Sequence, residues 1–120
     1  MPADDNDFSW RWLDAGLPLR YEPAMVVWHH DWRTPAQLQR QYRAYARGQG
    51  SLYAKHLAAG DRRMRRLVAH DLRMGVRGAR RAGLDRDRWR QPDEERALLW
   101  LPLGLLSGWR DVRRGRRAAG

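Results

Sequence analysis

Cysteine is absent from this 120-residue chain, which excludes disulfides and thiolate metal sites and leaves the redox compartment undetermined. Lysine is nearly absent as well: 23 of the 24 basic residues are Arg, set against 14 acidic ones for a formal charge of +10. That balance favours anionic partners such as a nucleotide diphosphate, acidic lipid head groups or nucleic acid, and it is silent on fold. An Arg-, Ala-, Gly- and Trp-rich chain with one Lys is also what a GC-rich genome encodes, so composition alone assigns no role to any single Arg. No apolar run approaches the roughly 20 residues needed to cross a bilayer; the longest, over 97–109, has 13 residues. The acidic opening lacks the basic and apolar character of a secretory signal, so a cytoplasmic location is expected. No internal repeat is visible, and the length suits one small domain with a modest core.

What is present is organised by hydrophobic period. Asp4 to Ala15 reads as a short helix with Phe8, Trp12 and Ala15 on one face and Gly16 at its C-terminal end. Leu19 to Glu22 and Met25 to His29 are rich in β-branched and aromatic types and read as two strands broken by Pro23. Thr34-Pro35 starts a longer helix, with Thr as N-cap and Pro at the first helical position. Leu38, Tyr42, Tyr45, Leu52, Tyr53, His56 and Leu57 follow at helical spacing, and Gly48 and Gly50 are expected to loosen or kink the helix. Gly60-Asp61 opens a helix with Met64, Leu67, Val68 and Leu72 on its apolar side and eight arginines crowded around them. Residues 83–92 read as a polar linker, and Pro92-Asp93-Glu94-Glu95 starts a last helix. The expected class is α+β and mostly helical: a short acidic helix and two short strands, then three helices, over segments 1–57, 58–91 and 92–120.

Residues Ala3-Asp4-Asp5-Asn6-Asp7-Phe8-Ser9-Trp10-Arg11-Trp12-Leu13-Asp14-Ala15-Gly16, then Leu19-Arg20-Tyr21-Glu22-Pro23 and Val26-Val27-Trp28-His29-His30, resemble the acceptor-side half of a family 2 glycosyltransferase. In that family an acidic pair of the form Glu/Asp-Asp-x-Asp opens a helix, an Ala-Gly turn ends it, and two short strands lead to an aromatic-His pair. Asp4, Asp5, Asp7, Arg11, Gly16, Pro23 and His29 fall at the matching places. The resemblance covers about residues 3 to 57 and implies the edge of a GT-A fold. It also implies a Rossmann-like half ahead of the acidic pair, holding the nucleotide-sugar and an Asp-x-Asp metal motif. Only three residues precede the pair, so the chain is expected to be the C-terminal part of an inverting enzyme and inactive alone.

The resemblance also implies roles. Sugar transfer with inversion needs a carboxylate within hydrogen-bond reach of the acceptor hydroxyl, to take its proton during attack on the anomeric carbon. That general base would be Asp5. Asp4 and Asp7 would orient the acceptor or act on Asp5 by like-charge repulsion, and Trp10, Trp28, Gln41 and Tyr45 would bind or support the acceptor. His29 would approach a divalent cation, Mg or Mn, held mainly by residues outside this chain. The structural alternative is that three acids simply suit the positive N-terminal end of a helix, and that His29 is a structural residue. His56 and His70, with no acidic or cysteine partners at ligand spacing, receive no role.

Gln41-Tyr42-Arg43-Ala44-Tyr45 looks like a worn version of the Gln-x-x-Arg-Trp helix of processive family members: Gln41 matches, Tyr45 replaces the Trp and Ala44 replaces the Arg. Polymer synthesis is therefore not implied. Arg40, Arg43 and Arg47 share a helical face, and Arg43 and Arg47 are the candidates to stabilise a departing nucleotide diphosphate. The apolar run 97–109 is followed by Arg110, Arg113, Arg114, Arg116 and Arg117, a pattern that suits peripheral contact of 97–117 with an anionic leaflet such as the inner face of the plasma membrane. A buried helix docking on a catalytic domain is the equal alternative. The partners implied are a nucleotide-diphosphate sugar and a hydroxyl acceptor, lipid-linked if the membrane reading holds. A reading from a different class is a small basic helical module that binds nucleic acid or acidic membranes. Its aromatic residues interleave with Arg, but no recognised nucleic-acid motif is present.

Overall fold

A computed structural model describes residues 4–28, 30 and 32–118. The elements run α1 (Asp4–Asp14), α2 (Pro35–Ala58), α3 (Met64–Ala82), α4 (Arg86–Arg90), α5 (Glu94–Ala97), a 3-10 turn (Leu98–Trp100) and α6 (Leu101–Ala118). Among the described residues there is no strand. The fold is helical, which corrects the expected α+β class and its two strands at a GT-A edge. Residues 19–27 do have strand-like composition, but a strand forms only where a second backbone takes up its N–H and C=O groups. Here no second backbone arrives: Tyr21 is 87% and Val27 76% exposed, and the amide of Met25 closes a turn onto the carbonyl of Glu22 at 3.1 Å.

Helix α2 begins as its sequence indicates. Thr34 Oγ1 accepts from the Gln37 amide at 3.3 Å while Gln37 Oε1 accepts from the Thr34 amide at 2.8 Å, a reciprocal capping box that satisfies two backbone donors. The helix is continuous through Gly48 and Gly50. Its glycine at 50 is a point of close approach to α6. A Cβ added to Gly50 would lie 2.8 Å from the Leu105 nitrogen, and one on Gly104 would lie 2.9 Å from the Arg47 Cα. Only glycine lets the two backbones come this near. Ser51 Oγ donates to the carbonyl of Gly104 at 3.1 Å and so pins the crossing.

Around this seam lies the core: Leu52 and Tyr53 of α2, Met64 of α3 and Leu101 of α6, with Trp10, Leu67, Val68 and Leu72 packed against them. Met64 and Leu101 are fully buried. Tyr53 turns its hydroxyl to Asp71 at 2.7 Å, and burial followed by that carboxylate pushes the phenol well above its usual range. The stretch 83–92, expected to be a linker, holds α4, capped by Asp85 Oδ1 accepting from the amides of Asp87 at 2.9 Å and Arg88 at 3.3 Å. Arg96, 7% exposed, donates to the carbonyls of Arg88, Trp89 and Gln91 and lies 5.0 Å over the Trp89 ring. A buried guanidinium is tolerable because its donors are used, and here they close the C-terminal end of α4. Among the described residues no helix is long and apolar enough to cross a membrane.

Candidate functional site

The acid-bearing helix α1 buries none of its residues fully and docks with polar side chains. Phe8 and Trp12, the face its period suggests, touch each other at 5.6 Å between ring centroids but stand 55% and 37% exposed. The docking face is Asn6, Asp7, Trp10 and Asp14. Asn6 Nδ2 donates to Gln49 Oε1 at 2.8 Å. Asp7 meets Lys55 Nζ and His56 Nε2, each at 2.7 Å, and Arg11 Nε at 3.2 Å. The Trp10 indole donates to Asp61 Oδ2 at 3.1 Å, with His56 at its edge and the Arg63 guanidinium 4.9 Å over its ring. Arg63 in turn bridges Asp14 at 2.5 Å and Asp61 at 2.8 Å.

These contacts set the electrostatics. Burial works to raise the Asp7 carboxyl, but hydrogen bonds from Lys55 and His56 and the charges of Lys55 and Arg11 outweigh it and hold it below the usual carboxylate range. Arg63 donates to Asp61 and brings it down to about 2, and the Arg63 guanidinium is raised by the same partner and by Asp14.

Docking α1 this way separates its three acids. Asp4 and Asp7 turn to a cleft of about 570 Å³ whose other walls include Arg47, Ser51, Lys55 and Asp111. Asp5 turns to a second cleft of about 560 Å³, with Tyr42, Tyr45, Gln49 and His70 across from it. Asp71, Glu94 and Glu95 also line that cleft; Asp71 is taken by Tyr53 and Glu95 pairs with Arg81, whereas Glu94 makes no hydrogen bond or ion pair among the described residues. Asp5 makes no hydrogen bond or ion pair among the described residues, so its carboxylate is open to a ligand in the cleft. Tyr45 lies in the same cleft with its hydroxyl fixed by Gln41 Nε2 at 2.6 Å.

Of the residues singled out from sequence, Asp5 and Tyr45 therefore line one cleft, with Gln41 bonded to Tyr45, whereas Asp4 and Asp7 face elsewhere. Arg43 and Arg47 do not converge: Arg47 lines the cleft with Lys55, while Arg43 lies 5.0 Å over the Trp100 ring beside Trp89 and Asp93. Trp10 is engaged in holding α1, and Trp28 is 86% exposed. His29 lies outside the described residues. Among the described residues, no group of three or more His, Cys, Asp or Glu side chains is placed to hold a metal ion.

Sequence reasoning missed Lys55, His56, Asp61 and Arg63. His56 does have an acidic partner, but it is Asp7, 49 positions away, and no local spacing could show it. Compared with protein-family models, with curated proteins and with solved structures, the chain matches none.

Proposed function

We propose that this segment is the acceptor-side portion of an inverting, metal-dependent family 2 glycosyltransferase, with Asp5 as the general base. In this reading the acceptor hydroxyl enters the cleft shared by Asp5, Tyr42 and Tyr45. Asp5 takes the hydroxyl proton as the oxygen attacks the anomeric carbon and the nucleotide diphosphate leaves. Tyr45, oriented by Gln41, offers a ring and a hydroxyl to the acceptor. Arg47, which lines the neighbouring cleft, is the cation of this segment assigned to the departing diphosphate, Lys55 of the same cleft being paired with Asp7. The nucleotide-sugar and its divalent cation, whose charge stabilises the leaving diphosphate, are assigned to residues outside the segment. The observation that carries the reading is the division among the three acids: Asp7 is consumed by Lys55 and His56, and Asp5 is left unpartnered on the wall of an aromatic-lined cleft.

The test is a transfer assay on an enzyme that joins this segment to a donor-binding half. Asp5→Asn keeps the size of the side chain but cannot accept the proton. Because general-base catalysis contributes about 100-fold to 10,000-fold, turnover should fall by at least about 100-fold with donor affinity unchanged. Asn is itself a good N-cap, so a purely helix-capping role for Asp5 predicts nearly intact activity. Wild-type turnover in Asp5→Asn would overturn the assignment.

One observation favours the alternative of a basic binding module. On α3, Arg66, Arg73, Arg77 and Arg80 fall at helical spacing on one exposed face, and none of them has a carboxylate partner among the described residues. If that face binds nucleic acid, log affinity for an oligonucleotide should fall linearly with log salt.

A further inference from the structure

Helix α6 has two unlike faces. Leu101, Gly104, Leu105, Gly108 and Val112, spaced at three and four residues, turn inward, and the glycines bring α6 against α2. The opposite face carries Leu103 at 45%, Leu106 at 57% and Trp109 at 42% exposure. Leu99 and Trp100 of the preceding turn, 38% and 37% exposed, add apolar surface at its start. Beyond Trp109 the same outer face becomes basic through Arg110, Arg113 and Arg117, all exposed, and Arg113 lies 5.7 Å over the Trp109 ring.

The charge on this face is not balanced from within the helix. The acid of α6, Asp111, points to the cleft lined by Arg47 and Lys55, away from the outer face. Arg116 is occupied by the carbonyl of Ala58 at 2.6 Å, whereas Arg110, Arg113 and Arg117 meet no carboxylate among the described residues. Outer apolar side chains in the first turns and unpaired guanidinium groups in the last call for a partner that is apolar in one layer and anionic in the next. A bilayer surface has that layering over about 10 Å, with long Arg side chains reaching from the acyl boundary to the phosphates. A protein partner would need a facing surface of roughly 800 Å² that reproduces both layers.

We propose that the outer face of α6 docks on an anionic lipid leaflet, with Leu103, Leu106 and Trp109 in the acyl boundary and Arg110, Arg113 and Arg117 on lipid phosphates. The helix enters the interface at a slant, its first turns deeper than its last, and does not cross the bilayer. This surface is independent of the Asp5 cleft and stands or falls without the transferase reading.

The full chain is tested by co-sedimentation with mixed phosphatidylglycerol–phosphatidylcholine vesicles and with pure phosphatidylcholine vesicles. Binding is expected to the mixed vesicles, with partitioning at least about 10-fold weaker to the neutral ones. Leu103→Glu with Leu106→Glu should lower partitioning at least about 100-fold, because both apolar anchors are lost. Circular dichroism of that variant should match the wild type, since both positions are exposed. Two variants matched in net charge then separate docking from general attraction. Arg110, Arg113 and Arg117 replaced together by Gln should lose about 100-fold in partitioning, and Arg66, Arg73 and Arg77 of α3 replaced together by Gln less than about 5-fold. Equal losses in the two triple variants, absence of vesicle binding, or binding unchanged by the Glu pair would overturn the proposal. So would a lipid-free dimer that the Glu pair dissociates, because the face would then belong to a second copy.

Discussion

Two helices lean on α2 and do so by opposite means. Helix α6 approaches with its backbone: Gly50, Gly104 and Gly108 remove the side chains from the seam, and Ser51 bonds directly to a main-chain carbonyl of its neighbour. Helix α1 approaches with its side chains, through Asp7 to Lys55 and His56 and Asn6 to Gln49, with Trp10 bonded to Asp61 in the turn after α2. The first contact depends on shape and is indifferent to pH and salt. The second depends mostly on charge, with Trp10 packed against the edge of the core. The helix that carries the candidate base is thus the one held adjustably, while the helix with the exposed apolar and basic outer face is held rigidly.

The largest effect should come from filling the seam. In an ordinary exposed helix position, Gly→Ala stabilises by about 0.5–1 kcal/mol through propensity and reduced freedom of the unfolded chain. Gly115 has nothing within 4 Å of a new Cβ, so Gly115→Ala should show that gain. Gly104→Ala should show the reverse sign. Its methyl would meet the backbone of Arg47, which cannot rotate away, and forced separation of packed helices costs about 1–3 kcal/mol. Gly104→Leu should cost more than Gly104→Ala. Urea denaturation followed by circular dichroism measures all three, and a stabilised Gly104→Ala would mean that the two helices are not in backbone contact.

Breaking the other attachment should cost less and should act locally. The Asp7 carboxyl is depressed in the folded state, so its contribution is fully present above the ordinary carboxylate pKa, near pH 4, and is lost as pH falls through its lower folded value. Asp61, held at about 2, loses its contribution later on the same acid side. Helix α1 should therefore detach on acidification below about pH 4 while the glycine seam persists. Amide exchange along residues 5–13 should rise over that interval ahead of residues 51–57. Asp7→Asn should raise the same amides already at neutral pH, at a cost of about 1–2 kcal/mol to the docking of α1, because Lys55 and His56 lose a charged acceptor. Raised salt should mimic it in part. Exchange that accelerates in both segments together would show that α1 and α6 are not independently held.

The difference between the two attachments also explains what could be read from the chain. Helix α2 was legible to its cap because Thr34, Pro35 and Gln37 act on one another within four residues. The apolar side of α3 was legible because Met64, Leu67, Val68 and Leu72 repeat at the helical period. The strands were not, because residues 19–27 carry the composition of a strand but not the second backbone that would make one. Gly48 and Gly50 were expected to loosen α2, since nothing local to them shows that α6 closes on one of them from more than 50 residues away. Of the site, the presence of Asp5 and of the Gln41–Tyr45 pair on helices was legible, whereas the parting of Asp5 from Asp7 followed from contacts with Lys55 and His56 that only folding brings close.

The smallest expected effect tests that last point. A helical period places Phe8 and Trp12 on the face that should be buried, but Phe8 is 55% exposed and Trp10 holds the contact to Asp61, His56 and Arg63. Phe8→Ser removes a large apolar side chain, which in a packed position would cost about 3–5 kcal/mol or nearly so. At this position it should change stability by no more than about 0.5 kcal/mol, the range of an ordinary surface substitution. Trp10→Phe, which keeps an aromatic ring but removes the indole N–H, should raise amide exchange along α1 although it is the gentler change on paper. The ordering is the informative part. If Phe8→Ser loosened α1 more than Trp10→Phe did, the helix would dock by its apolar stripe after all, and Asp5 and Asp7 would exchange the clefts they face.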